Sequence, residues 1–587
     1  MKQWALVSFI LVVNGLLFAT EKGEFPSSWK EVQPIYGSIS QTQSIVFPES
    51  ESVELFESVL LIKNNLYFQT KNKEKEISIF YLHLPTGEWK KKNWDKGKIF
   101  GWTECGESLL IQTKQKLYEL DAENWNVKKE STFSSKSSNW KDIVCIEKQL
   151  YRLGKDQLEV YDLETLEPKP EISLPMKSVQ RIVKRNENEI LLYSSFSGNN
   201  TQLFSIKDKT TIKDWKFPTN HRALFKLVSI SPDRYFIYDP ITKIVGEWLL
   251  FDDHLFPVSE GLEMRADEKA VRFSPLHSKL EYQLEVTAKS EIPETSYHVV
   301  IPKKETYAQT LREETFHSPS LFGLDETGNR TLTLTLPAMK EGESKVLNVY
   351  KGNLTRYKIH WKLDPNLTVN REDVTSKYPN ELRDDWFVKL EDPIVVEKRN
   401  ELFQDKTSVK EILLETAKYV SSIPYKSGKF ESAPYVIQKN NGGCTEHSYV
   451  TMSLLRGIGI PSRLVWNYLP TESSDVMSLN HKYVEVWVDG YGWIPMEPLA
   501  PPRSKPGVSY ARHLVFAVMS TPKHPKILAG DRLVQLSKES FPQSKKLQMK
   551  LSILKQDVGE KEEESLELQP SQKGNRVIFS GEDLVVP

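Results

Sequence analysis

Cysteine is scarce in this chain, which has three in 587 residues. An excess of charge of one sign is also missing, because 78 Lys and Arg residues almost cancel 79 Asp and Glu residues. Without a basic excess, no nucleic-acid partner is predicted. The spacings typical of a Cys/His metal site, a phosphate-binding glycine loop or an HExxH zinc motif do not occur. We therefore predict no cofactor and no metal.

Long apolar runs are also missing, with one exception at the N-terminus. Residues 1–20, MKQWALVSFILVVNGLLFAT, carry Lys2 before an apolar run from Trp4 to Ala19. This pattern is typical of a secretory signal peptide cleaved near Ala19 or Thr20. The run is short for a membrane-spanning helix of about 20 residues, so we favour cleavage over an uncleaved anchor helix. The prediction is a secreted or periplasmic protein with no membrane span after signal cleavage.

Export gives the three cysteines a meaning. Cys105 and Cys145 lie in one region, where they can pair in an oxidising compartment or remain as two buried thiols. The sequence leaves both alternatives open. Cys444 has no evident partner, so its presence in an exported protein needs another explanation.

A weak repeat runs through residues 46–275. Apolar strands are followed by an aromatic residue, a turn and a polar strand, as in LYELDAENWNVKK and EVYDLETLEPKP. The aromatic residues recur at steps of 34 to 43 residues, which is typical of propeller blades. We therefore predict an all-β region that forms a β-propeller of about five or six blades. Two β-sandwich modules are the alternative, which we disfavour because the strand–turn–strand order recurs in phase.

The pattern changes after this region, so the fold class is multidomain. Residues 279–365 contain alternating or apolar strands separated by turns, which predicts a middle β-sandwich. Residues 379–520 combine helical patterns with strands, which predicts a C-terminal α+β domain. Residues 521–587 are predicted to be a β-rich C-terminal extension.

One helix of the α+β region is well marked. Its N-cap is predicted at Ser408 or Thr407, and Glu411 is well placed for a capping box. The positions at helical spacing are Val409, Ile412, Leu413, Thr416 and Val420.

Cys444 follows two glycines and begins a second predicted helix, over 444–458. The positive end of the helix dipole stabilises a thiolate, the reactive form of cysteine. Taken alone, the residue is more typical of a small buried side chain at a helix start. His481 begins a strand, from which it can take the thiol proton and later protonate a leaving amine. Glu497, one strand further on, can orient the imidazole as the third member of a triad.

These segments together resemble the transglutaminase-like superfamily of papain-type cysteine enzymes. The resemblance rests on GGCTEHSYVTMSLLRGIGIPSRLVW and NHKYVEVWVDGYGWIPMEP, and it covers about residues 379–520. It implies the catalytic residues Cys444, His481 and Glu497, whose spacings of 37 and 16 residues fit bacterial exported members. The β-sandwich resembles a module that often precedes such domains. The family usually has Asp where this chain has Glu497, whose side chain is one methylene longer.

The resemblance implies thiol-dependent acyl transfer at the amide carbonyl of a protein or peptide substrate. Water as the acceptor gives a peptidase or amidase, which we favour for an exported member without a visible calcium motif. An amine as the acceptor gives a cross-linking transglutaminase. The alternative of a different class is a non-catalytic binding protein, with a protein partner on the propeller and a degenerate transglutaminase-like domain.

Three neighbours of Cys444 carry further predictions. His447 lies on the same helix face as the cysteine, three residues on, and is predicted to be structural because that spacing rarely gives a base the required geometry. The oxyanion hole would use the Cys444 backbone N–H and one side-chain donor, for which Asn440 and Asn441 are the candidates.

Overall fold

The computed structural model describes most of the chain between residues 29 and 557. The described ranges are 29–35, 43–44, 53–72, 77–133, 141–194, 200–216, 226–239, 244–258, 261–317, 320–324, 328–369, 372–426, 431–469, 479–499, 505–509, 513–520, 534–536 and 546–557. The predicted signal peptide at 1–20 lies outside these ranges. Within them, every helix is too short or too polar to cross a membrane.

The chain divides into two compact units. Among the described residues, one comprises 31–262 and the other comprises 29–30 with 263–557. We refer to them as the N-terminal and the C-terminal unit.

The described residues of the N-terminal unit form five antiparallel sheets. Sheets 1 to 4 each have four strands that follow one another in chain order, and sheet 5 has a fifth strand from the start of the unit. Sheet 1 contains Val53–Ile62, Asn65–Asn72, Ile77–His83 and Glu88–Trp94, and sheet 2 contains Gly101–Cys105, Ser108–Gln112, Lys116–Asp121 and Val127–Thr132. Sheet 3 contains Asp142–Ile146, Gln149–Leu153, Gln157–Asp162 and Pro168–Ser173, and sheet 4 contains Arg181–Lys184, Glu189–Ser194, Asn200–Ser205 and Thr210–Lys216. Sheet 5 contains Lys226–Ser231, Arg234–Asp239, Ile244–Phe251, His254–Pro257 and Gln43–Ser44.

In sheets 2 and 3, the repeated aromatic segments form the hairpins between the third and fourth strands. In sheet 2, the Asp121 carboxylate accepts hydrogen bonds from the backbone N–H groups of Glu123 and Asn124, at 3.0 and 3.1 Å. Asp162 caps the equivalent turn of sheet 3 in the same way. An aspartate side chain that binds the backbone two and three residues on fixes a tight turn. The repeat in the sequence therefore corresponds to a repeated hairpin.

The first strands of the five sheets are neighbours. They follow one another in sheet order, and the first strand of sheet 5 lies beside the first strand of sheet 1. Together they line a cavity of about 490 Å³. The prediction of a β-rich region with small antiparallel sheets is confirmed, whereas closure into a propeller stays a prediction.

Two of the three cysteines are paired. Cys105 ends the first strand of sheet 2, Cys145 lies in the first strand of sheet 3, and the two form a disulfide with Cα atoms 5.5 Å apart. Of the two alternatives that the sequence left open, the structure has the disulfide. Cys444 is the free thiol.

Breaking the Cys105–Cys145 disulfide is expected to destabilise the N-terminal unit. The bond joins residues 40 positions apart, and the loop-entropy relation gives about 4 kcal/mol for such a loop. For a unit of this size, the unfolding midpoint of a Cys105→Ser/Cys145→Ser variant should fall by about 10 °C in calorimetry. A reducing agent should produce the same shift in the wild type and none in the variant. Equal midpoints for wild type and variant would contradict this prediction.

The C-terminal unit contains two sheets that share one core. The larger is ordered Trp29–Glu31, Glu263–Arg265, Ala270–Ala288, Ser344–Trp361 and Gln309–Phe316, with Val508–Ser509 and Leu547–Asp557 paired to the two long strands. The smaller is ordered Ser320–Leu324, Arg330–Leu336, Thr295–Val300 and Val534–Leu536. Alternating apolar side chains from both sheets fill the space between them, including Tyr282, Leu284, Tyr297 and Leu334. Two strands from the predicted C-terminal extension complete these sheets.

Helices and a third sheet form the rest of this unit. The helices are Glu372–Lys377, Pro393–Phe403, Val409–Ser422, Ala433–Lys439 and Cys444–Arg456, with a 3₁₀ turn at Pro379–Glu381. The sheet is antiparallel and ordered Gly492–Met496, Leu479–Val488, Ser462–Leu469 and Leu514–Met519. We call it the site sheet. Helices packed on a small antiparallel sheet are the predicted α+β arrangement.

The Val409–Ser422 helix agrees with the sequence except at its cap. All five positions predicted at helical spacing are buried. The N-cap is Ser408, but its side chain makes no capping hydrogen bond. Its hydroxyl instead donates to the carbonyl oxygen of Pro365, at 2.6 Å. The predicted capping box is therefore wrong, because a tertiary contact competes for the hydroxyl.

Candidate active site

Cys444 is the first residue of a central helix. Every residue from Thr445 to Arg456 is buried, whereas Cys444 itself is partly exposed. The N-cap is Gly443, and its backbone N–H donates to the Glu446 carboxylate at 3.1 Å. The thiol therefore stands at the partly exposed N-terminal end of a buried helix, where the helix dipole favours negative charge.

Close packing explains why residue 442 is a glycine. A Cβ atom added there would lie 2.8 Å from the Glu446 Cβ and 3.2 Å from a methyl group of Val436. The first glycine of the GGC motif therefore allows the preceding chain to approach the first turn of the helix.

The predicted triad residues come together in the structure. His481 lies on the Leu479–Val488 strand, and its imidazole is close enough to the Cys444 thiol for each group to shift the pKa of the other. The imidazole Nε2 lies 2.6 Å from Oε2 of Glu497. Because Nε2 faces the carboxylate, Nδ1 is the ring nitrogen that remains for the thiol. The other carboxylate oxygen of Glu497 accepts from the backbone N–H of Leu499 at 3.0 Å.

The longer side chain of Glu497 is accommodated without losing contact. Glu497 directly follows the Gly492–Met496 strand, which pairs with the His481 strand. The strand pairing and the Leu499 N–H hold the carboxylate in hydrogen-bond distance of the imidazole. The extra methylene relative to Asp therefore leaves the His481 contact intact.

The electrostatics favour charge separation between thiol and imidazole. Burial works against a charge on His481, but the hydrogen bonds and charges of Cys444 and Glu497 outweigh it and raise the pKa of His481 to about 10. Burial likewise opposes the thiolate, yet the hydrogen bond and charge of His481, helped by the Lys482 backbone N–H, lower the pKa of Cys444. The pKa of Glu497 is also lowered: burial opposes the carboxylate, but contact with His481 outweighs it. These shifts favour a thiolate–imidazolium pair, with an ionised carboxylate behind it, over a neutral thiol and imidazole.

Comparison with known protein families identifies this region. Residues 390–498 match the model of the Transglutaminase-like superfamily. Residues 390–498 form a transglutaminase-like domain. Cys444, His481 and Glu497 all lie within the matched segment.

Two solved structures are similar to parts of the chain. A candidate cysteine protease from Cytophaga hutchinsonii is 14% identical, with 49% of this chain and 93% of that chain covered and a TM-score of 0.37. The glutaminyl cyclase of Myxococcus xanthus is 13% identical, with coverages of 33% and 88% and a TM-score of 0.27. No curated protein matches the chain. The family assignment therefore rests on the match to residues 390–498.

Two neighbours of the thiol have structural contacts in the transglutaminase-like domain. His447 is fully buried, with Nδ1 2.7 Å from the Gly443 carbonyl oxygen and Nε2 3.0 Å from that of Ile423. Both ring nitrogens are thus engaged, which agrees with the predicted structural role. The Asn441 side chain donates to the Lys439 carbonyl at 2.9 Å in an exposed position. This contact directs the predicted oxyanion donor toward the end of the Ala433–Lys439 helix.

A buried ion pair lies further along the His481 strand. Alternation puts Tyr483 and Glu485 on the same face as His481. The Glu485 carboxylate accepts from Arg463 Nε and from the Tyr307 hydroxyl, each at 2.8 Å, and the pair is almost fully buried. These two hydrogen bonds to the Glu485 carboxylate help to offset the cost of removing both charges of the ion pair from water. Arg463, in the GIPSR segment, therefore ties the Ser462–Leu469 strand to the strand that carries His481.

Sequence analysis missed two polar residues beside the triad. Asn467 pairs with His481 in the strand register, and its side-chain Oδ1 lies 2.9 Å from Nδ1 of His513. The two histidine rings have centroids 5.7 Å apart, and Asn467 is fully buried. A polar residue within the apolar segment LVWNYL was the signal for Asn467. His513 lies beyond the segment that matches the family, so motif spacing gave no pointer to it.

Proposed function

We propose that the chain is an exported thiol enzyme that acts on amide bonds of protein or peptide substrates, as a peptidase or amidase. The observation that carries the proposal is the convergence of three side chains: His481 is hydrogen-bonded to Glu497 and lowers the pKa of the neighbouring Cys444 thiol. The lowered pKa of the thiol and the raised pKa of the imidazole provide the nucleophile and the acid that acyl transfer needs.

In this reaction the Cys444 thiolate attacks the amide carbonyl carbon. The backbone N–H of Cys444, at the first helical position, has no intrahelical acceptor and is available for the developing oxyanion. The His481 imidazolium then gives its Nδ1 proton to the leaving amine nitrogen, and the C–N bond breaks to leave a thioester. Neutral His481 takes a proton from water, the hydroxide attacks the thioester, and the acid product leaves. An amine in place of water would give cross-linking by the same steps.

Glu497 would act through His481 rather than on substrate. Its carboxylate stabilises the positive charge of the imidazolium and fixes the ring with Nδ1 toward the thiol. In this proposal Cys444 is the nucleophile, His481 the general acid and base, and Glu497 the orienting residue.

The N-terminal unit is proposed to be a five-bladed propeller that binds the substrate or a protein partner. The cyclic order of the five first strands and the cavity that they line support this interpretation. Export is proposed from the signal-like residues 1–20. The Cys105–Cys145 disulfide suits an oxidising compartment, whether secreted or periplasmic.

Alkylation of the thiol tests whether the ion pair is active. With Cys105 and Cys145 in a disulfide, Cys444 is the thiol available to iodoacetamide. An ordinary thiol with a pKa near 8.5 is about 1% thiolate at pH 6.5. We therefore expect native wild type to react roughly 10- to 100-fold faster at pH 6.5 than the same thiol in denaturant, by mass spectrometry of the Cys444 peptide.

The matched variant for this test is His481→Asn, which keeps a polar side chain but removes the base. It should lose the fast reaction while keeping the unfolding midpoint close to that of the wild type. A wild-type thiol no more reactive than the denatured one would reject the enzyme and favour the non-catalytic binding protein.

A further inference from the structure

Three metal-ligating side chains converge behind the thiol. His481, Glu497 and His513 each have a ligating atom within 4.8 Å of the ligating atoms of the other two, and all three are buried. They come from three strands of the site sheet or the residues that flank them. His481, Glu497 and His513 are far apart in the sequence, so it is the folding of the site sheet that brings them together.

We propose that His481, Glu497 and His513 form an inhibitory site for a divalent transition metal of the zinc type. Two imidazoles and one carboxylate are donors that suit Zn²⁺, Co²⁺ or Ni²⁺ rather than Mg²⁺ or Ca²⁺. The inhibitory consequence rests on the proposed function, whereas the binding itself does not.

Asn467 prepares His513 for this role. Its Oδ1 lies 2.9 Å from Nδ1 of His513 and accepts the proton that this nitrogen carries. The tautomer with the proton on Nδ1 has its lone pair on Nε2. Metal-binding histidines typically donate their other ring N–H to an oxygen acceptor in this way. The amide is itself fully buried, so the acceptor is held within the protein.

The distances require only a local adjustment. Tetrahedral zinc holds nitrogen and oxygen ligands about 2 Å away, which puts the ligands roughly 3.3 Å from one another. His481 Nε2 and Glu497 Oε2 are now 2.6 Å apart with a proton between them. The metal would replace that proton, so this pair opens by less than about 1 Å while His513 closes in.

Metal binding at Nε2 would remove the acid function of His481. In the resting enzyme, loss of the Nδ1 proton to a leaving amine turns an imidazolium into a neutral imidazole. With a metal in place of the Nε2 proton, the same transfer would leave an imidazolate, a far stronger base. The thioester would then form slowly, so zinc bound at this site would hold the thiol enzyme inactive until it is removed.

Metal binding is measured on the full chain carrying Cys444→Ser, which removes the thiol as a competing ligand. Co²⁺ is added and followed by its visible absorption, and Zn²⁺ then displaces it. We expect one bound ion per chain, and His513→Gln in the same background should weaken binding at least tenfold. Asn467→Leu should weaken it by roughly 10- to 100-fold, the range for a lost histidine partner.

The opposite pattern would overturn the proposal. If metal binding disappears with Cys444→Ser, or is unchanged by His513→Gln, then a thiol–histidine pair or another site holds the metal. Because this readout needs no turnover, it stands even if the chain proves to be non-catalytic.

A second readout connects the site to the thiol. Zn²⁺ should slow peptide hydrolysis by the wild type, because hydrolysis needs the acid function of His481, and a chelator should restore the rate. The ratio of rates with and without Zn²⁺ should return toward one in His513→Gln, whatever the rate of that variant without metal. Equal zinc sensitivity in both proteins would contradict the assignment of His513.

Discussion

Replacing Cys444 with alanine is expected to abolish amide hydrolysis, with a loss of about 10⁶-fold in turnover by analogy with removal of the nucleophile from a catalytic triad. The thiolate is the group that forms the thioester. Among the residues assigned to the site, Cys444 is the one that carries a thiol. What remains is the modest acceleration from the oxyanion donor and substrate binding. A mixture of peptides from digested casein, followed by mass spectrometry, measures the loss over many peptide sequences at once.

Two controls make this result specific to the thiol. Cys444→Ala sits at a helix N-terminus and is partly exposed, so its unfolding midpoint should stay close to that of the wild type. Cys105→Ser/Cys145→Ser keeps Cys444 and should retain hydrolysis at temperatures well below its unfolding midpoint. If the wild type and Cys444→Ala cleave the same peptides at the same rate, the cleavage does not come from this site, and the binding-protein alternative gains support.

The triad was accessible to sequence analysis because its signals are local. Cys444 follows two glycines at a helix start, His481 opens an alternating strand, and Glu497 ends the next strand. Each of these signals depends on residues a few positions away. The three residues lie on elements that are close together in chain order. The structure adds the hydrogen bond between His481 and Glu497 and places the imidazole close to the Cys444 thiol.

The residues that were missed depend on contacts distant in sequence. Asn467 matters because strand register places it opposite His481, and His513 matters because the Leu514–Met519 strand pairs with the strand of Asn467. Neither pairing follows from spacing or periodicity. Whether a polar residue in a strand is buried beside His481 or faces solvent is decided by the sheet order, which a single sequence does not specify.

The fold shows the same division between local and distant signals. The repeated turn aspartates, such as Asp121 and Asp162, bind their own backbone, so the hairpins of the N-terminal unit were evident from the sequence. By contrast, the Leu547–Asp557 strand pairs with Ala270–Ala288, almost three hundred positions earlier. Likewise, Ser408 lost its capping bond to a distant acceptor, the Pro365 carbonyl.

Replacing Glu497 with glutamine is expected to lower amide hydrolysis on the order of 10³- to 10⁴-fold, the effect of neutralising the third member of a triad. The carboxylate contributes to raising the pKa of His481 to about 10, and through His481 it helps to lower the pKa of Cys444. The thiolate–imidazolium pair exists between these two pKa values. Without the carboxylate, the pKa of His481 falls and that of Cys444 rises, so the pH window narrows from both sides.

The pH dependence of alkylation distinguishes this electrostatic effect from a loss of structure. The pH of half-maximal iodoacetamide reaction should move upward in Glu497→Gln, and the alkaline limit of hydrolysis should move downward. Glutamine retains the acceptor for the Leu499 N–H, so the local backbone contact survives the change.

The charge-retaining variant Glu497→Asp completes the argument. It keeps the negative charge but is one methylene shorter, so it should preserve the pH window better than Glu497→Gln, with losses that come from distance alone. The carboxylate now contacts His481 at 2.6 Å while held by Leu499, which predicts that the native glutamate outperforms aspartate on this backbone. If Glu497→Gln left the alkylation profile unchanged, the carboxylate would not be what holds the imidazolium, and Glu497 would be reduced to a residue that anchors the strand end.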